Sequence, residues 1–339
     1  IVSMDKQISS LESSHFPVML DEVIKITSPY AKGKFIDCTF GGGSYSKEIL
    51  KFTDTYVEAF DRDEEALKLS KKLEKKFPHR FKFHHHRFSN LDKVLTGNAD
   101  AIIFDLGLSS LQLDNHDRGF SFKSNKKLNM SMGLNELSAL EAINNLSESN
   151  LKSIIKNLGD EKEASIIAKN IVKFRKIKKI NYTNDLVKII EKSKKKNYGK
   201  KINPSTKTFQ ALRIFVNKEI TELIYGIINA TKFLKPGGKI LVISFHSIED
   251  KIVKYFFSNF SSSRSKPSRY FPENKDANIS LFDKYKNKIF KPSNLEIIKN
   301  PPSRSAKLRY ATRSKSKFIY PNELVNKFKK YLDLENLNA

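Results

Sequence analysis

Apolar and polar positions follow two rhythms in the first third of the chain. The short apolar runs "GKFIDCTF" (33–40), "TYVEAFDRD" (55–63), "RFKFHHHRF" (80–88) and "ADAIIFDLG" (99–107) read as strands. The last is almost wholly apolar up to Asp105, as a strand buried on both faces should be. Between them, "SYSKEILKF" (44–52) and "EEALKLSKKLEKKF" (64–77) keep helical spacing. This βαβαβ order predicts an open parallel sheet that takes its ligands at the carboxyl ends of its strands.

The alternation stops near Asp117 and resumes after Thr208. The interval holds four helical segments, "SALEAINNL", "ESNLKSIIKNL", "DEKEASIIAKNIVKFRKI" and "TNDLVKIIEKS", with caps predicted at Ser138, Ser147 and Thr183. A single long amphipathic helix is predicted for "TFQALRIFVNKEITELIYGIINATKFL" (208–234), closed by the turn "KPGG". "KILVISFHS" (239–247) is a fifth buried strand and "IEDKIVKYFFSNF" (248–260) a helix; "NLEIIKN" (294–300) and "AKLRYATRS" (306–314) are expected to be the last two strands. The expected architecture is α/β, a mostly parallel seven-stranded sheet with an inserted all-helical domain. Residues 1–116 and 209–339 form the sheet domain and 117–208 the insert.

Composition narrows the class. At 339 residues with 39% apolar positions, the chain has enough material for one large or two modest cores. Its one cysteine, Cys38, excludes an internal disulfide framework and a multi-cysteine zinc site. No apolar run approaches the ~20 residues that span a bilayer. Met4 reads as the natural start, no secretion pattern precedes it, and a cytoplasmic location is expected.

Charge then suggests a partner. The formal net charge of +25 favours a polyanion, nucleic acid before membrane. Lysine, isoleucine and asparagine are abundant throughout, as AT-rich coding also produces. Distribution favours binding: residues 151–201 hold 16 basic against 5 acidic residues, including "KSKKKNYGKK" (192–201), and residues 264–317 hold 15 against 4.

The turn "DCTFGGGSYS" (37–46) brings backbone close to a ligand. It lacks the Lys-Ser/Thr of a phosphate-binding loop, and Ser46 stands where a dinucleotide fold needs its last glycine. S-adenosylmethionine is the remaining common occupant, with Asp61 at the end of strand two placed to accept from ribose hydroxyls. The competing reading is a tight turn beside a surface acid. At the end of strand four, Asp105 faces the same crevice. An exocyclic base amine is a poor nucleophile, and an acceptor such as Asp105 on its hydrogens would localise its lone pair. "SFHSIEDK" offers His246, Ser247, Glu249 and Asp250, either as substrate contacts or as a helix cap with first-turn acids. The triplet His84-His85-His86 is read as ordinary strand, because adjacent side chains point to opposite faces, and no metal is expected. Arg304, Lys307 and Arg309 are read either as phosphate contacts or as a solvated basic loop.

Taken in order, "HFPVMLDEV" (15–23), "DCTFGGGSYS", "FDRD" (60–63), "DLGLSSLQLD" (105–114), "RGFSF" (118–122), "TFQALRIFVN" (208–217), "ISFHSIEDKIVK" (243–254) and "NPPSRSAKLR" (300–309) resemble the bacterial small-subunit rRNA cytosine-N4 methyltransferase family. The resemblance runs from His15 to about Arg309. It implies a class I methyltransferase sheet with a helical insert and S-adenosylmethionine as donor. The implied acceptor is the exocyclic amine of a 16S rRNA cytidine in the decoding region of the small ribosomal subunit, near the P-site. Implied cofactor contacts are Gly41, Gly43, Ser44, Tyr45, Asp61, Phe88, Asp105 and Gln112, with Asp105, His246 and Asp250 as catalytic candidates. Candidate substrate contacts are Ser109, Ser110, Arg118, Phe120, Phe122, Asn129, Arg304, Lys307 and Arg309, with Phe120 or Phe122 stacking on the base. The chain departs from the family at Ser44, where glycine is usual, at Leu111, where proline is usual, and in "LNMSMG" (128–133). There Asn129, Ser131 and Gly133 replace an acid, an arginine and an acid. A rival reading is a non-catalytic RNA-binding protein that has kept the fold.

Overall fold

Strands β1 (Gly33–Asp37), β2 (Thr55–Asp61), β3 (Phe81–His85), β4 (Ala99–Asp105), β5 (Leu234–Ser244) and β6 (Lys307–Thr312) form one sheet in the order β3-β2-β1-β4-β5-β6. All pairs are parallel except β5 with β6. The structure is a computed structural model, and it describes residues 17–29, 32–114, 116–123, 125–194, 203–262 and 280–338. Met4, His15, most of "KSKKKNYGKK", the basic stretch 263–279 and the Ser110 side chain lie outside the described residues.

Alternation in the central strands divides the interior into two cores. Ile36, Phe60, Ile102, Phe104, Ile240 and Val242 face one, and Phe35, Ala59, Ala101, Ile103, Leu241 and Ile243 the other. Successive side chains point to opposite faces, so an unbroken apolar run serves both. Each fully buried Ile or Phe among them contributes roughly 2 kcal/mol. Helices α1 (Leu20–Thr27), α2 (Ser44–Leu50) and α3 (Glu64–Lys76) contribute to the second core.

The first core is shared with helices that follow β4. After the short α4 (Ser110–Asp114) come α5 (Ala139–Asn145), α6 (Glu148–Gly159), α7 (Ala164–Arg175) and α8 (Thr183–Ser193). Ser138 and Ser147 cap α5 and α6 as predicted. Tyr182, not Thr183, is the cap residue of α8, because the Thr183 hydroxyl instead accepts from the Lys126 amide at 3.1 Å. The predicted long helix is two, α9 (Thr206–Asn217) and α10 (Glu219–Phe233), broken where Lys218 adopts φ 50°. α9 packs on α6 so closely that a Cβ on Gly159 would lie 2.4 Å from the Lys207 carbonyl. Among the described residues, one apolar core runs without a gap from the sheet into these helices.

The "KPGG" turn is absorbed into the start of β5, where the register with β4 shifts between Ala99 and Ala101. α11 (Ser247–Asn259) follows. The sheet has six strands among the described residues, not seven, because "NLEIIKN" forms the helix α12 (Asn294–Lys299). Its sequence lacks strand alternation, and the Ser293 hydroxyl caps it by accepting from the Glu296 amide at 3.2 Å. "AKLRYATRS" supplies β6 as predicted. The last helix, α13 (Asn322–Glu335), ends with Glu335 accepting from the Ile220 and Thr221 amides at the start of α10, at 2.9 and 2.8 Å.

Candidate active site

The carboxyl ends of β1, β2, β4 and β5 open onto one cleft. Its lining includes Gly41, Ser44, Tyr45, Asp61, Phe88, Asp105, Ser109 and Gln112, all chosen from sequence. The glycine turn is fastened from below. Gly41, at φ 50°, donates its amide to Asp61 Oδ2 at 2.8 Å, and Asp61 Oδ1 accepts from the Asp63 amide at 2.9 Å. Burial holds the Asp61 carboxyl above its ordinary range. Gly43 lies behind the cleft wall at φ 77°, where a Cβ would meet the Phe40 ring at 2.6 Å. Ser44 is the first residue of α2 and has no positive φ, so serine there needs no glycine conformation.

Asp37 is buried at the end of β1. Its carboxylate accepts from the Ser46 hydroxyl at 2.7 Å and the Thr39 amide at 3.3 Å, and burial pushes its pKa to about 6. Asp105 ends β4, its amide donating to the Thr39 hydroxyl at 2.7 Å. Asp105 Oδ2 lies 3.0 Å from the Tyr45 hydroxyl, while Oδ1 is buried without a hydrogen-bond partner among the described residues. Burial pushes this carboxyl to about 8; Tyr45 pulls it down and the negative charges of Asp37, Glu249 and Glu296 push it up. A carboxyl that lines a cleft and keeps one oxygen without a partner among the described residues is equipped to take a hydrogen bond or a proton.

Gln112 closes the far wall. Its amide nitrogen donates to Asp63 Oδ2 at 2.9 Å, and its oxygen accepts from the Ser109 amide at 3.1 Å. Arg118 is turned to the same Asp63 oxygen at 2.6 Å and to the Ser131 carbonyl at 2.9 Å, so it braces the wall from behind and is not part of the lining. Phe88 packs edge-on against Phe104 with ring centres 5.3 Å apart.

Other candidates fall outside the cleft. Phe120 lies under the Arg118 guanidinium, and Phe122 packs edge-on against Phe209 at 5.8 Å, so neither ring faces the lining. Asn129 is exposed and accepts from the Ser131 amide at 2.9 Å. His246 is the cap of α11, with its Nδ1 accepting from the Glu249 amide at 3.5 Å, so the cap of this stretch is His246 and not Ser247. Asp250 pairs with Arg309 at 2.7 Å and Lys307 at 3.2 Å; Arg309 is 2% exposed and ties β6 to α11. A buried guanidinium so engaged does not reach a phosphate. Arg304 is exposed, beside Ser303 of the lining. In the histidine triplet, His84 Nε2 meets Glu58 at 2.6 Å and His85 Nε2 meets the Arg62 carbonyl at 3.1 Å.

The lining also holds residues that sequence reasoning passed over: Arg62, Met132, Glu219, Glu222 and Phe245, and Asn300, Pro302 and Ser303. The last three stand inside the quoted "NPPS", which was a usable signal. Met132 sits where Gly133, at φ 109°, lets the chain press against the Arg62 carbonyl; a Cβ there would be 2.1 Å from that oxygen. Asn217 fixes this loop from the core, accepting from the Met132 amide at 2.9 Å and donating to the Met130 carbonyl at 2.8 Å. Glu219, His246 and Glu249 each bring one ligand-type atom within 4.8 Å of the others, but both Glu219 oxygens are held by Arg213.

A mostly parallel sheet closed by an antiparallel edge strand, with a glycine turn after its first strand, an acid ending the second and an acid ending the fourth, all opening on one cleft, defines an S-adenosylmethionine-dependent methyltransferase. The chain belongs to the MraW methylase family, whose model matches residues 12–314. It is 41% identical over 305 residues to ribosomal RNA small subunit methyltransferase H of Ehrlichia canis, covering 87% of this chain and 98% of that one. The protein of the same description from Rickettsia bellii is 42% identical over 305 residues, covering 89% and 100%. Among solved structures, an rRNA methylase from Streptococcus thermophilus is 11% identical with a TM-score of 0.37, covering 86% of this chain and 96% of that one.

The residues present fit the cofactor. Gly41 and Asp61 form a fastened turn that would let a ligand approach its backbone closely, and the Asp105 oxygen without a partner among the described residues would give a cationic sulfonium an acceptor. Gly41, Ser44, Tyr45, Asp61, Phe88, Asp105 and Gln112 would hold it.

Proposed function

We propose that this methyltransferase methylates the exocyclic N4 amine of a cytidine in the decoding region of 16S rRNA, near the P-site, within the small ribosomal subunit. The observation that carries the reading is the buried Asp105 Oδ1, without a hydrogen-bond partner among the described residues, on a strand-four acid that lines the cleft. The names of the relatives, which specify small-subunit ribosomal RNA, support the substrate. The net charge of +25 supports a polyanionic partner.

S-adenosylmethionine supplies an activated methyl group on sulfur. The protein's own residues position the amine, remove its proton and exclude water. Asp105 accepts a hydrogen bond from the amine, which draws its lone pair out of the ring and onto nitrogen. With the cofactor held by these residues, its methyl group would pass to the amine nitrogen as the methyl–sulfur bond breaks, and the Asp105 carboxylate would take the one proton that the cationic amine gives up. A carboxyl at about 8 is mostly protonated at neutral pH, and a positive charge brought into the cleft lowers it again. Tyr45 steadies that carboxylate, and the Thr39 hydroxyl fixes its backbone. Residues 1–116 and 209–339 act as the catalytic part, and 117–208 as the part that recognises RNA. Such a partner places the protein in the cytoplasm. Among the described residues, no helix is long and apolar enough to cross a membrane.

The test supplies labelled S-adenosylmethionine and small subunits lacking the modification, followed by nucleoside analysis of the recovered RNA. N4-methylcytidine at the decoding-region cytidine is the expected product. RNA binding without transfer, while a related enzyme modifies the same subunits, would favour the non-catalytic alternative.

A further inference from the structure

Beyond the cleft, one segment joins the cleft wall to the helical insert. The segment from Arg118 to Gly133 leaves the cleft wall at Met132 and returns through exposed Asn129 and Lys127. It is stitched there to the start of α8. Lys127 and Tyr182 form an isolated antiparallel bridge, the Leu128 amide donates to the Asn181 carbonyl at 2.9 Å, and the Thr183 amide donates to the Lys126 carbonyl at 2.9 Å. Tyr182 is thus held by backbone on both sides while its side chain stays 49% exposed.

Basic residues stand close to Tyr182 along the chain and across the bridge. Lys176, Lys178 and Lys179, in the turn before α8, are exposed with Lys127, and Ile177 among them is 83% exposed. Helix-dipole stabilisation accounts for cations at the end of α7. It does not account for Lys127, which lies on another segment, nor for the exposed ring. Arg175 is the residue that seals a helix end, donating to the Ile143 and Leu146 carbonyls at 2.6 Å each. Among the described residues the lysines beside it make no such bonds, although Ser138, by hydrogen bonds, and the charge of Lys179 hold the Glu141 carboxyl below its ordinary range.

An aromatic face on a rigid backbone, flanked by lysines, is how proteins hold single-stranded nucleic acid: the ring stacks on a base while the cations follow the phosphates. We propose that Tyr182 is a stacking platform for an unpaired base of the RNA next to the target nucleotide, with Lys127, Lys178 and Lys179 on its phosphates. The inference rests on the function proposed above. It adds a path for the strand, from the cleft along residues 127–132 to the insert.

The test measures affinity for two unmodified partners, a decoding-region RNA fragment and the intact small subunit, across a range of salt concentrations. Tyr182→Ala is expected to weaken binding to both about five- to a hundredfold, and Tyr182→Phe to stay within about twofold of wild type. Lys178→Glu is expected to weaken binding and flatten its salt dependence. Affinity for S-adenosylmethionine, measured without RNA, should be unchanged in all three and reports that the fold is intact. Binding by Tyr182→Ala equal to wild type on both partners overturns the inference. Weakening on intact subunits alone also overturns it, by assigning the ring to a ribosomal protein. Wild-type protein that binds neither partner overturns the function itself.

Discussion

The Tyr45 hydroxyl stands 3.0 Å from Asp105 Oδ2 and 2.7 Å from the Val18 carbonyl, with one proton for two acceptors. When Asp105 is ionised, the two oxygens compete for that proton. When Asp105 is protonated, its own O–H can point to Tyr45 while Tyr45 donates to Val18. The pair therefore changes hydrogen-bond direction as Asp105 titrates.

Affinity for cationic S-adenosylmethionine is expected to rise with pH through about 8, and affinity for neutral S-adenosylhomocysteine to rise less, in calorimetric titrations. Tyr45→Phe should move the midpoint upward, since the tyrosine favours the carboxylate. Asp105→Asn should abolish the pH dependence and slow methyl transfer about 10²–10⁴-fold. A carboxyl raised in the folded state stabilises the fold at acid pH. The ligand-free protein should therefore lose that contribution as pH rises through about 8.

Gly133 cannot be exchanged for the acid usual in the family without moving the backbone. With φ at 109° and the Arg62 carbonyl 2.1 Å from a would-be Cβ, Gly133→Ala or Gly133→Asp should cost about 2 kcal/mol or more in urea unfolding. Cofactor affinity should fall with it, because Met132 would be displaced from the lining.

Asn217 bonds both sides of the same loop from a fully buried position. Asn217→Ala leaves the Met132 amide and Met130 carbonyl without that partner, at about 1–3 kcal/mol for each group that stays buried. The expected result is a lower urea midpoint and a higher Kd for S-adenosylmethionine. Unchanged values for both would show that the loop stands without it.

Asp250 and Arg309 should behave as a structural pair. Arg309→Met is expected to cost about 3 kcal/mol, because it leaves a largely buried carboxylate short of its main partner. Asp250→Asn with Arg309→Met should recover part of that loss. Burial alone would raise Asp250, but Arg309 and Lys307 hold it below the ordinary range. Its contribution to stability is therefore full above that range and lost as pH falls through it.

Much of the sheet and cleft was legible because both are written in local patterns. Strand ends mark where ligands sit, so Gly41, Asp61 and Asp105 could be placed from "DCTFGGGSYS", "FDRD" and "FDLG" alone. The break at Lys218 was not legible, because a left-handed lysine leaves the helical spacing on either side intact. α12 is too short for its lack of strand alternation to decide, since six residues make fewer than two helical turns. Arg309 looked like a phosphate contact because its partner, Asp250, lies 59 residues away, and spacing says nothing about such a pair. The motif "RGFSF" suggests Phe120 and Phe122 as stacking rings, but it carries no information on their packing, which turns both elsewhere.

The position of the insert sets an order for synthesis on the ribosome. β4 ends at Asp105 and pairs with β5, which begins at Leu234. While residues 106–233 are being made, the emerging sheet has an open edge at β4, a run of Ile, Ile and Phe ready to pair with any strand it meets. The helices of the insert emerge in that interval, and the first core they share with β4 can cover one face of that run before β5 arrives. In the nascent chain, the helices of the insert would act first as an internal chaperone for the half-built sheet.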